Sequence, residues 1–168
     1  LKDVAVANNT GTSVSIFKNA STLTTPSFTR TNIANGFSTI STECGDLNGD
    51  GLPDLVFTSN QEIISIYTNN STAGTISFTR NQFILPKQND GNIRNPKRFK
   101  IIDIDGDGKN DLVVGNETDN IIFIYRNIST GATISFDSPV SITVTGAVHA
   151  SGLDAGDING NGLNDIVT

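Results

Sequence analysis

The chain has no tryptophan or methionine, one cysteine, one histidine and two tyrosines in 168 residues. A single cysteine, Cys44, excludes an intrachain disulfide framework. Standing two residues before an acidic motif, it reads as a small buried apolar residue in a strand. His149 has no second histidine to join it, and no serine or cysteine lies in a nucleophile context, so catalytic triads and catalytic zinc sites are unsupported. His149 reads instead as a polar loop residue. Basic residues are scarce, 11 Lys and Arg against 17 Asp and Glu, for a formal net charge of −6. Nucleic acid is thereby excluded as a partner, because phosphate neutralisation needs clustered cations. No apolar run approaches the length of a membrane-spanning helix, so no membrane insertion is expected. Nor does any segment carry a helical period.

What the chain does have is one nine-residue pattern three times: Asp46 to Asp54 (DLNGDGLPD), Asp103 to Asp111 (DIDGDGKND) and Asp157 to Asp165 (DINGNGLND). Oxygen-bearing side chains stand at positions 1, 3, 5 and 9, and glycine at positions 4 and 6. A hard cation takes six to eight oxygen ligands, and alternate side chains converge on one point only where glycine permits the turn. The pattern predicts up to three Ca²⁺ sites. Ligands in the first are the side chains of Asp46, Asn48, Asp50 and Asp54 with the carbonyl of Leu52. In the second they are Asp103, Asp105, Asp107 and Asp111 with the carbonyl of Lys109. In the third they are Asp157, Asn159, Asn161 and Asp165 with the carbonyl of Leu163.

The helix-loop-helix calcium loop begins similarly but closes with glutamate at position 12. Here that position holds Phe57, Val114 and Thr168, and β-rich residues follow each motif. Nine of the 17 acidic residues lie in the three motifs, and carboxylates crowded this way repel unless a cation sits between them. Loop two has four carboxylates, loop one three and loop three two. Ligand charge helps to set Ca²⁺ affinity, so the count ranks the second site tightest and the third weakest.

The first acids stand at 46, 103 and 157, spacings of 57 and 54 residues. Aligned on Asp3, Asp54 and Asp111, the following segments are versions of one unit. Each has a short apolar strand, a polar turn, an alternating strand (Val14 to Phe17, Ile63 to Tyr67, Ile121 to Tyr125), an Asn-Ser-Thr-Gly-rich connection and a strand centred on Phe28, Phe78 or Phe136. Counting the strand that enters each motif, a unit supplies four short antiparallel strands. This is the signature of β-propeller blades in an all-β chain, with a β-sandwich as the alternative. The 168 residues form one repeat array, with approximate units 1–45, 46–102 and 103–156 and a further repeat opening at 157–168.

These loops, the Asp-Leu-Val-Val-like strands after them and the Ile-Tyr-x-Asn-x-Ser-Thr and Ile-Ser-Phe stretches resemble FG-GAP/VCBS repeats, the blades of integrin α-subunit-like propellers and of many microbial surface proteins. The resemblance implies that the loop joins the first and second strands of a blade, that its cation is mainly structural, and that partners bind at loops on one end. Three repeats do not close a ring of four to eight blades. The expectation is therefore a part of a larger propeller, or one completed by further copies.

The basic cluster Arg94, Lys97, Arg98 and Lys100 reads as a solvated patch in the longest interblade loop. Sequons at Asn8, Asn19, Asn69, Asn70, Asn116 and Asn127 are compatible with glycosylation and equally with Asn-rich turns. Sites of two or three carboxylates suit extracellular calcium, so the protein reads as secreted or exposed at the cell surface. Its expected role is noncatalytic: adhesion, protein interaction or scaffolding, with a protein or glycan ligand at loops such as Ile84 to Phe99 and Ile142 to Leu153. The alternatives are a calcium-dependent lectin, or the noncatalytic propeller part of a larger secreted enzyme.

Overall fold

The computed structural model describes residues 2–59, 61, 63–84, 96–116, 118, 120–146 and 152–168. Within them the chain is all-β, with thirteen strands in four antiparallel sheets and no helix. β1 (Val4–Ala7), β2 (Ser13–Asn19) and β3 (Phe28–Ala34) form the first sheet. β4 (Thr39–Gly45), β5 (Asp54–Ser59), β6 (Ile63–Asn69) and β7 (Phe78–Ile84) form the second. β8 (Pro96–Ile102), β9 (Asp111–Asn116), β10 (Ile121–Tyr125) and β11 (Val140–Thr143) form the third, and β12 (Asp154–Gly156) with β13 (Asp165–Val167) the last.

Strand order within each sheet follows the chain, the meander of a propeller blade. The sequence predicts three four-stranded repeats; the structure has two four-stranded blades between a three-stranded and a two-stranded one, and they do not close a barrel. Every acidic motif connects the first strand of a sheet to the second. A unit counted from motif to motif therefore ends on the first strand of the following sheet.

The inner strands are apolar on successive residues, and the packing explains why. Across the β5–β6 ladder Leu55 faces Tyr67 on one side of the sheet, while Val56 faces Ile66 on the other. Leu55, Phe57 and Tyr67 pack with Val14 and Ile16 of the first sheet. Val56, Ile64 and Ile66 pack with Phe99, Leu112, Val114, Phe123 and Tyr125 of the third. Each core therefore lies between blades, and a blade buried on both faces cannot alternate apolar with polar. Leu47, the second residue of the first motif, is 2% exposed and belongs to the second of these cores. Its side chain ties the loop to the interblade packing.

First strands approach one another across the blades. Lys100 on β8 pairs with Glu43 on β4 at 2.8 Å and with Asp154 on β12 at 3.4 Å, and Glu43 also accepts the Ile101 amide at 2.9 Å. The loop reading of the basic cluster is thus corrected in part. Lys97, Arg98 and Lys100 lie on β8, because residues from Pro96 onward pair with β9. Arg94 and His149 lie outside the described residues, as do 85–95 and 147–151 of the two loops expected to carry a ligand.

Cys44 is exposed rather than buried, bordering a cleft of about 550 Å³ between the first two sheets. Its counterpart Ile101 abuts Gly45 of the preceding sheet's first strand.

Candidate metal centre

All six motif glycines have positive φ: 79° and 83° at Gly49 and Gly51, 78° and 86° at Gly106 and Gly108, 76° and 86° at Gly160 and Gly162. An L side chain is strained there, so the motif needs glycine at positions 4 and 6. The turn brings the amides of those glycines onto the first acid. Gly49 and Gly51 donate to Asp46 at 2.7 and 2.8 Å. Gly106 and Gly108 donate to Asp103 at 2.8 and 2.9 Å, and Gly160 and Gly162 to Asp157 at 2.7 and 2.9 Å. These amide bonds hold the Asp157 carboxyl below its usual range.

The ninth-position acids close the loops. Asp54 accepts the Leu47 amide at 2.9 Å and the Asn69 amide at 2.8 Å; Asp111 accepts those of Ile104 at 2.9 Å and Asn127 at 2.7 Å. Both carboxyls are wholly buried. Burial pushes their pKa values up, against the backbone donors, and the neighbouring loop carboxylates add to the rise. A cation among those acids would relieve both effects. Asp165 accepts the Ile158 amide at 3.1 Å, and Asp3 accepts that of Asn19 at 2.7 Å, so Asp3 stands in the ninth position of the same design.

In loop two, carboxylate oxygens of Asp103, Asp105 and Asp111 all lie within 4.8 Å of one another. Among the described residues no other three His, Cys, Asp or Glu side chains converge in this way. The donor set is oxygen only, and each carboxylate bonded to two amides keeps lone pairs for a metal. Loop two therefore fits a hard cation. Asp107 stands apart from the trio, held with Asp105 by Arg126.

In loop one Asn48 donates to Asp50 at 3.0 Å, while Asp50 accepts the Leu52 amide at 2.7 Å. In loop three Asn159 donates to Asp165 at 3.1 Å, and Asn161 accepts the Leu163 amide at 2.8 Å. The side chains of Leu52 and Leu163 are exposed, and Lys109 donates its ammonium to the Ser129 carbonyl at 3.0 Å.

A supporting residue escaped the sequence reading. Asn69 donates its side-chain amide to the Pro53 carbonyl at 2.8 Å and accepts the Ser71 amide at 2.9 Å, while its own backbone amide holds Asp54. Asn19 makes the same contacts with Lys2, Ser21 and Asp3, and Asn127 with Asn110, Ser129 and Asp111. The signal was the Asn recurring at one place in all three units, which reads as a sequon or generic turn. Asn69, Asn116 and Asn127 are buried.

The family described as FG-GAP-like repeat matches residues 1–57 and 103–168. Among curated proteins, none matches the chain.

Proposed function

The chain belongs to the FG-GAP-like repeat family, and on that footing we propose that it is a noncatalytic, calcium-binding propeller module for adhesion, protein interaction or scaffolding. The observation that carries the calcium reading is the convergence of Asp103, Asp105 and Asp111 on one side of a glycine-shaped turn. Calcium serves as a staple in this reading. It neutralises acids that crowd one another and locks the hairpin whose second residue, Leu47 in loop one, plugs the interblade core.

Further blades, from the same protein or other copies, complete the array beyond the three-stranded and two-stranded sheets. A protein ligand at the interblade loops fits better than a glycan, because Tyr67 and Tyr125 are 3% and 1% exposed and offer no ring to a sugar. Calcium sites of modest charge fit a secreted or cell-surface setting, where calcium is abundant.

Thermal melts with excess Ca²⁺ and with chelator test the reading. A ligand at a hundredfold its Kd stabilises by about 2.7 kcal/mol per site, so the melting temperature should rise by several degrees or more. Equal melting temperatures in the two conditions would refute calcium as a structural ligand.

A further inference from the structure

Arg126 directly follows β10 beside loop two and lays its guanidinium on two of that loop's acids. Its Nε donates to Asp105, and one terminal nitrogen donates to Asp107 at 3.2 Å. The backbone cannot move it away, since Tyr125 and Asn127 on either side are each 1% exposed and the Asn127 amide is bonded to Asp111.

The equivalent residues behave differently. Thr68 holds this place in the second sheet, where its hydroxyl accepts from Asn81 at 3.0 Å. Lys18 holds it in the first and donates to the Gly74 carbonyl in the next sheet, at 2.8 Å. Lys109, the other cation of loop two, points to Ser129 and touches no loop acid. Among the described residues, Arg126 is the cation paired with carboxylates of an acidic motif.

We propose that Arg126 is the affinity-setting residue of the second calcium site, a tethered cation that competes with the metal for Asp105 and holds Asp107 beside it. The proposal rests on the calcium reading. Carboxylate count alone ranks loop two first. Set against Arg126 alone, its four carboxylates carry a net −3, the same as the three acids of loop one, and Lys109 brings the formal sum to −2. A divalent ion held by Asp103, Asp105 and Asp111 would have to displace the guanidinium from Asp105 or share that carboxylate with it. Calcium binding is therefore coupled to the arginine's hold on Asp105, among the described residues in this loop alone.

The test uses the full chain and CaCl₂, with NMR titration of the motif-glycine amides as site-by-site reporters: Gly49 and Gly51, Gly106 and Gly108, Gly160 and Gly162. Arg126→Thr, which copies Thr68, should tighten the second site about tenfold, the repulsion between a divalent and a unit charge about 5 Å apart in water. Arg126→Gln should act in the same direction, with sites one and three unchanged. In chelator both variants should melt lower than the parent, having lost the cation that balances the acids. A second site equally tight or weaker in both folded variants overturns the proposal while leaving calcium binding intact. Silence at all six glycines in the parent overturns the calcium reading and this inference together.

Discussion

Asn110 donates its side-chain amide to the backbone carbonyl of Asp46, one sheet earlier, at 2.9 Å. Asn164 repeats the contact with the carbonyl of Asp103 at 2.6 Å. The eighth residue of one acidic motif therefore steadies the first residue of the motif before it. Asn110→Ala changes no loop-one acid, yet should cost about 1 kcal/mol, the net worth of one such bond. In a chain of this size that lowers the melting temperature by about 2–4 °C. Amide exchange at Gly49 and Gly51 should also quicken. Parental exchange at both glycines would show that the contact steadies nothing.

Asn127 is 1% exposed and its side chain makes three bonds: to the carbonyls of Leu47 at 2.9 Å and Asn110 at 2.7 Å, and from the Ser129 amide at 2.9 Å. Asn127→Ala leaves those groups unpaired, so it should cost about 3 kcal/mol, more than a typical point change. Urea unfolding should report this as a lower midpoint with an unchanged slope. The side-chain nitrogen that would carry a glycan is the one so engaged. Expression in a glycosylating host should therefore leave Asn127 bare, which peptide mass spectrometry would verify.

The blade architecture was legible in the sequence because the motif recurs with its flanking strands, and a repeat advertises the unit it builds. The loop geometry was legible too, since only glycine suits the φ values found at Gly49 and Gly51. What the sequence hid were contacts across blades. Cys44 reads as buried from its place in a strand before the motif, but Ile101 and Ala155 at the same place are themselves only part-buried. Arg126 lies outside every motif, and strand alternation says nothing about the loop it reaches. The linking role of Asn110 is invisible for the same reason: its partner is 64 positions away.

Lys100 lies between Glu43 and Asp154, and the hydrogen bond to Glu43 holds its ammonium above the usual lysine range, against a smaller opposing effect of burial. A lysine whose pKa is raised on folding binds its proton more tightly in the folded state. The pair's stabilisation is then fully present below the unfolded lysine pKa and is lost as pH rises through the folded one. Glu43→Gln should melt below the parent at pH 8 in chelator, and the gap should close as pH climbs beyond the ordinary lysine value of 10.5. A gap that persists or widens there would assign Glu43's contribution to its bond with the Ile101 amide instead.

Gly45 ends β4 where β8 comes closest, and a Cβ at that position would stand 2.6 Å from Cγ2 of Ile101 and 3.3 Å from its Cβ. Gly45 is absent from the positive-φ glycines, so alanine meets no backbone objection and its cost is steric. Overpacking of this kind costs about 1–3 kcal/mol. The alignment places Ile102 at the position of Gly45 one unit later, and Ala155 at the position of Ile101, so the large and small partners are exchanged between units. That exchange implies a volume shared across the inner strands. Gly45→Ala should destabilise alone, Ile101→Ala should destabilise alone through lost packing, and the double variant should retain more stability than the two losses summed, by about 1 kcal/mol. Losses that add within about 0.5 kcal/mol, the behaviour of independent sites, would mean that β4 and β8 draw apart to admit the extra methyl and that their close approach is not needed for the blades to stack.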